Sequence, residues 1–176
     1  MEIAKRAQAF DVRIIGTRRT QQETPSPLDW LGTADHLPKL LAESDFVVVA
    51  CDLNDETRGL IGKAELDTMK PDGVLINVAR GLVVQEDALY AALTAKSIGG
   101  AIIDVWYNHI SPKTPDVWPS NLPFHELDNV ILSPHESAAA PEQVARRWQF
   151  VAANINRAVL GETPENIVFE GAQTAG

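Results

Sequence analysis

Four short apolar runs recur at almost one interval along this chain of 176 residues. They start at Phe46, Val74, Ala101 and Val130, which lie 28, 27 and 29 residues apart. Each run is too short for a helix and is rich in β-branched residues, so each reads as a strand with both faces buried. Helical patterns at 63–69 and 85–96 fill the first two intervals. The third, 106–127, is long, proline-bearing and irregular, as functional connections often are. A constant interval between buried strands implies a parallel sheet closed by right-handed crossovers. The expected fold is therefore α/β, a doubly wound parallel sheet. A β-branched run at 12–16 adds a strand, and 21–31, polar with two prolines, reads as a loop. Short helices are expected at 1–10 and 35–44. A long one is expected at 141–160, with Val144, Trp148, Val151, Ile155 and Val159 on one stripe.

Charge narrows the partners. Lys+Arg 15 against Asp+Glu 24 gives a formal charge of -9. A nucleic acid would demand a basic face, and so would an anionic membrane surface; neither partner is expected. No apolar run approaches the roughly 18 residues of a membrane span, and the first residues lack the apolar core of a signal peptide. Cys51 is the single cysteine, so no disulfide can form within one chain. A reducing, cytoplasmic setting follows as the expectation. His36, His109, His125 and His135 lack zinc-ligand spacing, so no metal is expected.

Chemistry concentrates after the Val74 run, in Asn77-Val78-Ala79-Arg80-Gly81. These residues fall at the carboxyl end of a parallel strand, where open α/β sheets bind ligands. Arg80 offers a planar, permanently charged fork that suits a carboxylate. The competing reading is a local cap or ion pair.

Three stretches, in this order, carry a resemblance: Asn77-Val78-Ala79-Arg80-Gly81, Gly100-Ala101-Ile102-Ile103-Asp104-Val105-Trp106, and Asn129-Val130-Ile131-Leu132-Ser133-Pro134-His135. With Ser44-Asp45 and Glu56-Thr57-Arg58-Gly59-Leu60-Ile61, the chain resembles the D-isomer-specific 2-hydroxyacid dehydrogenase family from Met1 to about Val168. The resemblance implies hydride exchange between a nicotinamide cofactor and C2 of a small 2-oxo or 2-hydroxy acid. Arg80 matches the substrate arginine, and His135 the catalytic histidine. An imidazole, with an ordinary pKa of about 6.5, can give or take the proton near neutral pH; a surface turn residue is the bland alternative. Asp104 matches an aspartate near the nicotinamide carboxamide, with a structural carboxylate as its alternative. Val78 and Ala79 would line the nicotinamide face through backbone groups, and Asn77 is counted with the cofactor-binding residues. Cys51 and Asp52 fall in the cofactor loop, where most members have a proline at the place of Asp52. Cys51 itself reads as a small packed residue rather than a nucleophile. The resemblance further implies a partial dinucleotide-binding domain over 1–139. It implies a helix and tail over 140–176 that return to the substrate domain, and a homodimer in the full-length form.

In dinucleotide folds an acidic residue after the second strand holds the ribose 2′-hydroxyl, whereas arginine accommodates a 2′-phosphate. Here that strand runs into Arg18 and Arg19. NADP(H) is therefore expected over NAD(H).

Two departures stand out. The family's glutamate, five residues after the strand aspartate, is replaced by His109. An imidazole there predicts a more acidic optimum for 2-oxo acid reduction. The phosphate-binding glycine turn would precede Met1, so the sheet is expected to be incomplete at the amino terminus and the chain inactive alone. A noncatalytic dinucleotide-binding or regulatory module, or a truncated remnant, remain as alternatives.

Overall fold

The computed structural model describes residues 1–108 and 113–167. His109 lies outside the described residues. The chain forms two units, Met1–His135 and Glu136–Gly176.

In the first unit, four strands form one parallel sheet: β3 (Phe46–Val49), β4 (Val74–Asn77), β5 (Gly100–Ile103) and β6 (Val130–Leu132), in that order. Two further strands, β1 (Ile15–Arg18) and β2 (Trp30–Thr33), pair in parallel as a separate sheet. The regular interval of apolar runs thus becomes an ordered series of adjacent strands. Because β3 to β6 are laid down in one direction, right-handed connections must all cross the same face. That face is packed. Val47, Leu75 and Ala101 share one register row, and Val49, Asn77 and Ile103 the next. The apolar members pack with Leu41 of α2 (Leu37–Glu43), Leu66 of α3 (Lys63–Thr68), and Leu89 and Leu93 of α4 (Glu86–Thr94). Each fully buried aliphatic side chain contributes roughly 1.5–3 kcal/mol. The opposite row, Val48, Ile76, Ile102 and Ile131, is equally apolar, but Val48 and Ile131 are exposed. Both faces are apolar, as expected of a parallel sheet, and within the first unit α2, α3 and α4 pack on the face of Val47 and Leu75.

Two local expectations need correction. The strand expected at 12–16 forms three residues later, at Ile15–Arg18, so Arg18 is the last strand residue. The expected loop at 21–31 ends inside a strand, β2. Trp30 and Thr33 favour a strand but Gly32 between them does not, and the run is short; pairing with β1 makes it a strand.

In the second unit, α5 spans Pro141–Val159. Its stripe of Val144, Trp148, Val151, Ile155 and Val159 is exposed throughout. Among the described residues no helix is long and apolar enough to cross a membrane.

Candidate active site

The site residues follow from the sheet register. Val49, Asn77, Ile103 and Leu132 stand side by side on β3 to β6. Just beyond this row come Cys51 and Asp52 after β3, Val78 to Arg80 after β4, Asp104 after β5, and Ser133 to His135 after β6. Four connections therefore open at one carboxyl edge. Arg80 and His135 each lie three residues past the row on strands two apart, so their segments leave the sheet about 10 Å from one another, at the ~4.8 Å strand spacing.

After β4 the chain turns under the control of Asn77. Its side chain is only 2% exposed. The amide nitrogen donates to the Arg80 carbonyl at 3.1 Å, and the amide oxygen accepts from the Ala79 N–H at 3.1 Å. The Val78 N–H donates across to the Val49 carbonyl. Both ends of the Asn77 amide thus hold backbone, and the turn between strand and arginine is closed on itself. Arg80 emerges extended and exposed, with one guanidinium nitrogen donating to the Ala79 carbonyl at 2.7 Å. It makes no ion pair among the described residues, unlike the local ion pair weighed as its alternative.

Gly81 explains the Arg-Gly pair. A Cβ there would lie 2.3 Å from the Trp106 carbonyl oxygen and 2.5 Å from its carbon. These are backbone atoms and cannot swing away. Gly81→Ala is expected to destabilise the fold by about 1–3 kcal/mol through overpacking. Urea denaturation should report it as a lower midpoint, and a midpoint equal to the parent's would show that the two loops can part freely.

Asp104 is 3% exposed at the end of β5. The Ser133 hydroxyl donates to Asp104 Oδ1 at 2.5 Å, and the Trp106 indole N–H donates to the Ser133 carbonyl at 2.9 Å. Two residues on, His135 holds a φ of 63°, a left-handed conformation uncommon for a residue with a side chain. Such conformations persist where the surroundings enforce them, often at functional sites.

The remaining candidates are placed as follows. Cys51 is half-buried, and burial, with the nearby Asp52 charge, pushes its thiol above the ordinary range. It therefore stays neutral at pH 7, in keeping with a packed residue. Asp52 accepts the Thr57 hydroxyl at its backbone carbonyl. Arg18 and Arg19 are exposed at the end of β1, on the other sheet from Arg80, Asp104 and His135. The segment after β5 is anchored by Phe124, buried against Tyr90, Trp106 and Tyr107. The Glu86 carboxylate of α4 also holds it, by accepting the Ser120 hydroxyl and the Asn121 N–H. A hollow of about 760 Å³ is lined by Trp106, Trp118, Leu122, Ser133 and Pro134, within the range of ligand pockets.

Three contributions escape a reading by residue type. Asn77 acts as the clamp of the turn, Ser133 meets Asp104, and Trp106 meets Ser133. All three lie inside the motifs quoted above, but a motif does not say which of its members touch.

The family profile described as D-isomer specific 2-hydroxyacid dehydrogenase, NAD binding domain, matches residues 1–137. A glyoxylate reductase of Korarchaeum cryptofilum is 37% identical over 169 residues, covering 94% of this chain and 48% of the relative. The solved structure of an NADPH-dependent glyoxylate/hydroxypyruvate reductase from Sinorhizobium meliloti, in complex with NADP and sulfate, has a TM-score of 0.75 at 26% identity. The alignment covers 95% of this chain and 51% of that one. A D-isomer specific 2-hydroxyacid dehydrogenase family protein from Klebsiella pneumoniae superposes with a TM-score of 0.80 at 25% identity, over 96% of this chain and 51% of the other. The chain thus spans about half the length of these relatives. Its strand order, its three motif segments at one sheet edge and the profile match agree: this chain belongs to the D-isomer specific 2-hydroxyacid dehydrogenase family, through its NAD binding domain.

Proposed function

We propose that this chain is the cofactor-binding part of an NADP(H)-preferring reductase of small 2-oxo acids. The observation that carries the reading is the placement of Arg80, Asp104 and His135 just past one register row on three adjacent parallel strands.

The residues fit a nicotinamide dinucleotide. Asp104 is a buried carboxylate at the sheet edge, suited to accept from a carboxamide. Arg18 and Arg19 supply two exposed guanidinium groups at the end of β1. When bound, the reduced nicotinamide supplies the hydride that reduces the 2-oxo carbon. Arg80 receives the substrate carboxylate on its fork and draws electron density toward the 2-oxo oxygen. His135 hands a proton from a ring nitrogen to that oxygen as negative charge develops, and takes it back in the reverse direction. Asn77 keeps Arg80 at its post by fixing the turn beneath it.

The test is direct. The purified intact gene product should reduce glyoxylate, hydroxypyruvate or pyruvate with NADPH. Absence of turnover with all three, with either reduced cofactor, in a folded sample that binds the cofactor would replace this reading with that of a noncatalytic dinucleotide-binding module.

The cofactor preference has its own test. Replacing both arginines, Arg18→Glu with Arg19→Gln, removes the cations and adds a carboxylate beside the site of the 2′-phosphate. A hydrogen bond to a charged group contributes about 1.5–3 kcal/mol, so NADPH should bind roughly 10- to 100-fold more weakly while NADH is little changed. Calorimetric titration of both cofactors reads the ratio. An equal loss for the two would mean that the arginines do not face the 2′ position.

A further inference from the structure

We propose that Ser133 is a positioning residue, binding the peptide that leads into His135 to the Asp104 carboxylate and the Trp106 indole. The proposal rests on the functional reading above, in which His135 handles the proton and Asp104 faces the cofactor.

Strand β6 ends at Leu132, and His135 stands three residues later with a left-handed backbone. Nothing in strand geometry carries a residue to that conformation, so the intervening chain must be held in another way. Ser133 is held by all of its polar groups. Its N–H donates to the Ile103 carbonyl at 2.9 Å, which extends the β5–β6 ladder by one rung. Its carbonyl accepts from Trp106 Nε1 at 2.9 Å, which fixes the peptide plane between Ser133 and Pro134. Its hydroxyl donates to Asp104 Oδ1 at 2.5 Å. Pro134 then has its own φ fixed by the ring. The path from the sheet to His135 is left with very little torsional freedom.

The same hydroxyl acts on the other partner. Asp104 sits one residue past Ile103, and Ser133 one residue past Leu132, at paired positions on neighbouring strands. A hydroxyl donated to one carboxylate oxygen sets the plane of the carboxylate, hence the direction in which it can accept from a ligand. One side chain therefore orients both the cofactor-facing acid and the proton-transferring base. Trp106 acts on the His135 side alone, through the Ser133 carbonyl. Alanine at 133 would leave a buried carboxylate one donor short, a change with energetic consequences because buried acceptors need partners.

The experiment uses the intact gene product and the variants Ser133→Ala, Ser133→Thr and Trp106→Phe. Four readouts are followed: thermal midpoint, reduced-cofactor affinity, the separate values of kcat and KM, and the imidazole proton–carbon cross-peak of His135 in the cofactor-free protein. The chain has four histidines, so assignment by substitution is practical. Ser133→Ala should displace the His135 cross-peak, lower kcat about tenfold and weaken cofactor binding about three- to tenfold, with KM for the 2-oxo acid nearly unchanged. Ser133→Thr, which keeps the hydroxyl, should restore all three. Trp106→Phe should displace the His135 signal while leaving cofactor affinity near that of the parent.

A merely structural role would lower the thermal midpoint of Ser133→Ala and leave the cross-peak in place; that result overturns the proposal. So does a threonine variant that behaves like alanine. If Ser133→Ala does not fold, the other two variants decide. Parent-like kcat with threonine and a displaced His135 signal in Trp106→Phe support the proposal, and an unmoved signal in Trp106→Phe overturns it. If the parent protein reduces no 2-oxo acid, the functional reading fails by itself. The His135 signal still reports whether Ser133 positions that ring.

Discussion

Replacing His135 by glutamine is expected to lower 2-oxo acid reduction by about 10²- to 10⁴-fold, the usual contribution of a positioned general acid. The loss should appear in kcat at saturating NADPH, because the group acts on the reacting oxygen and not on remote parts of the ligand. The pH dependence gives a second signature. Reduction needs the protonated imidazole, so the parent rate should fall as pH rises. Oxidation of the 2-hydroxy acid needs the neutral ring, so its rate should fall as pH drops. A glutamine cannot titrate, and both slopes should vanish together. Cofactor affinity measured in the absence of substrate should stay close to that of the parent. A loss smaller than about threefold, below the range of general-acid effects, would assign proton transfer to another group.

Removing the fork of Arg80 should have the next largest effect. A hydrogen bond to a charged group contributes about 1.5–3 kcal/mol, or roughly 10- to 150-fold in kcat/KM for Arg80→Gln. Arg80→Lys should fall in between, since lysine keeps the charge but cannot present two parallel donors. Stability should change little, because Arg80 is exposed and its guanidinium donates to the neighbouring Ala79 carbonyl. Asn77→Ala gives the contrasting case. It would remove the clamp from beneath the arginine and leave the buried Ala79 N–H without its acceptor. Kinetics of the three variants beside urea denaturation separate the effects. Activity lost with stability retained marks the fork, and joint loss marks the clamp. Parent-like kcat/KM in Arg80→Gln would remove the arginine from substrate binding.

Much of the sheet was legible in the chain because its signal is local. Buried parallel strands must be apolar on both faces, and the runs at Phe46, Val74, Ala101 and Val130 state this within a few residues. The helical patterns at 63–69 and 85–96 likewise became α3 and α4 within a residue or two at each end. Strand β2 was not legible. Trp30 to Thr33 is a strand because Ile15 to Arg18 lies alongside and supplies the ladder. That pairing partner lies some 15 residues away, where no local propensity can record it. The start of β1 moved for the same reason: pairing with β2, rather than the β-branched run at Val12, chose which residues joined the strand.

The division at the site runs along the same line. By itself the sequence determined which chemical groups stand at the sheet's carboxyl edge. The interval between strands and the residue count past each strand place Arg80, Asp104 and His135 there, whatever the side chains do. Tertiary structure alone decided how these groups are held. The Asn77 amide closes on its own turn, the Ser133 hydroxyl crosses to Asp104, the Trp106 indole reaches the Ser133 carbonyl, and the Trp106 backbone leaves room only for glycine at position 81. Each of the last three contacts joins residues that are 25 to 29 positions apart in the chain. They exist because parallel register brings successive strand ends side by side, and hydrogen bonds and packing act over a few ångströms of space rather than along the chain.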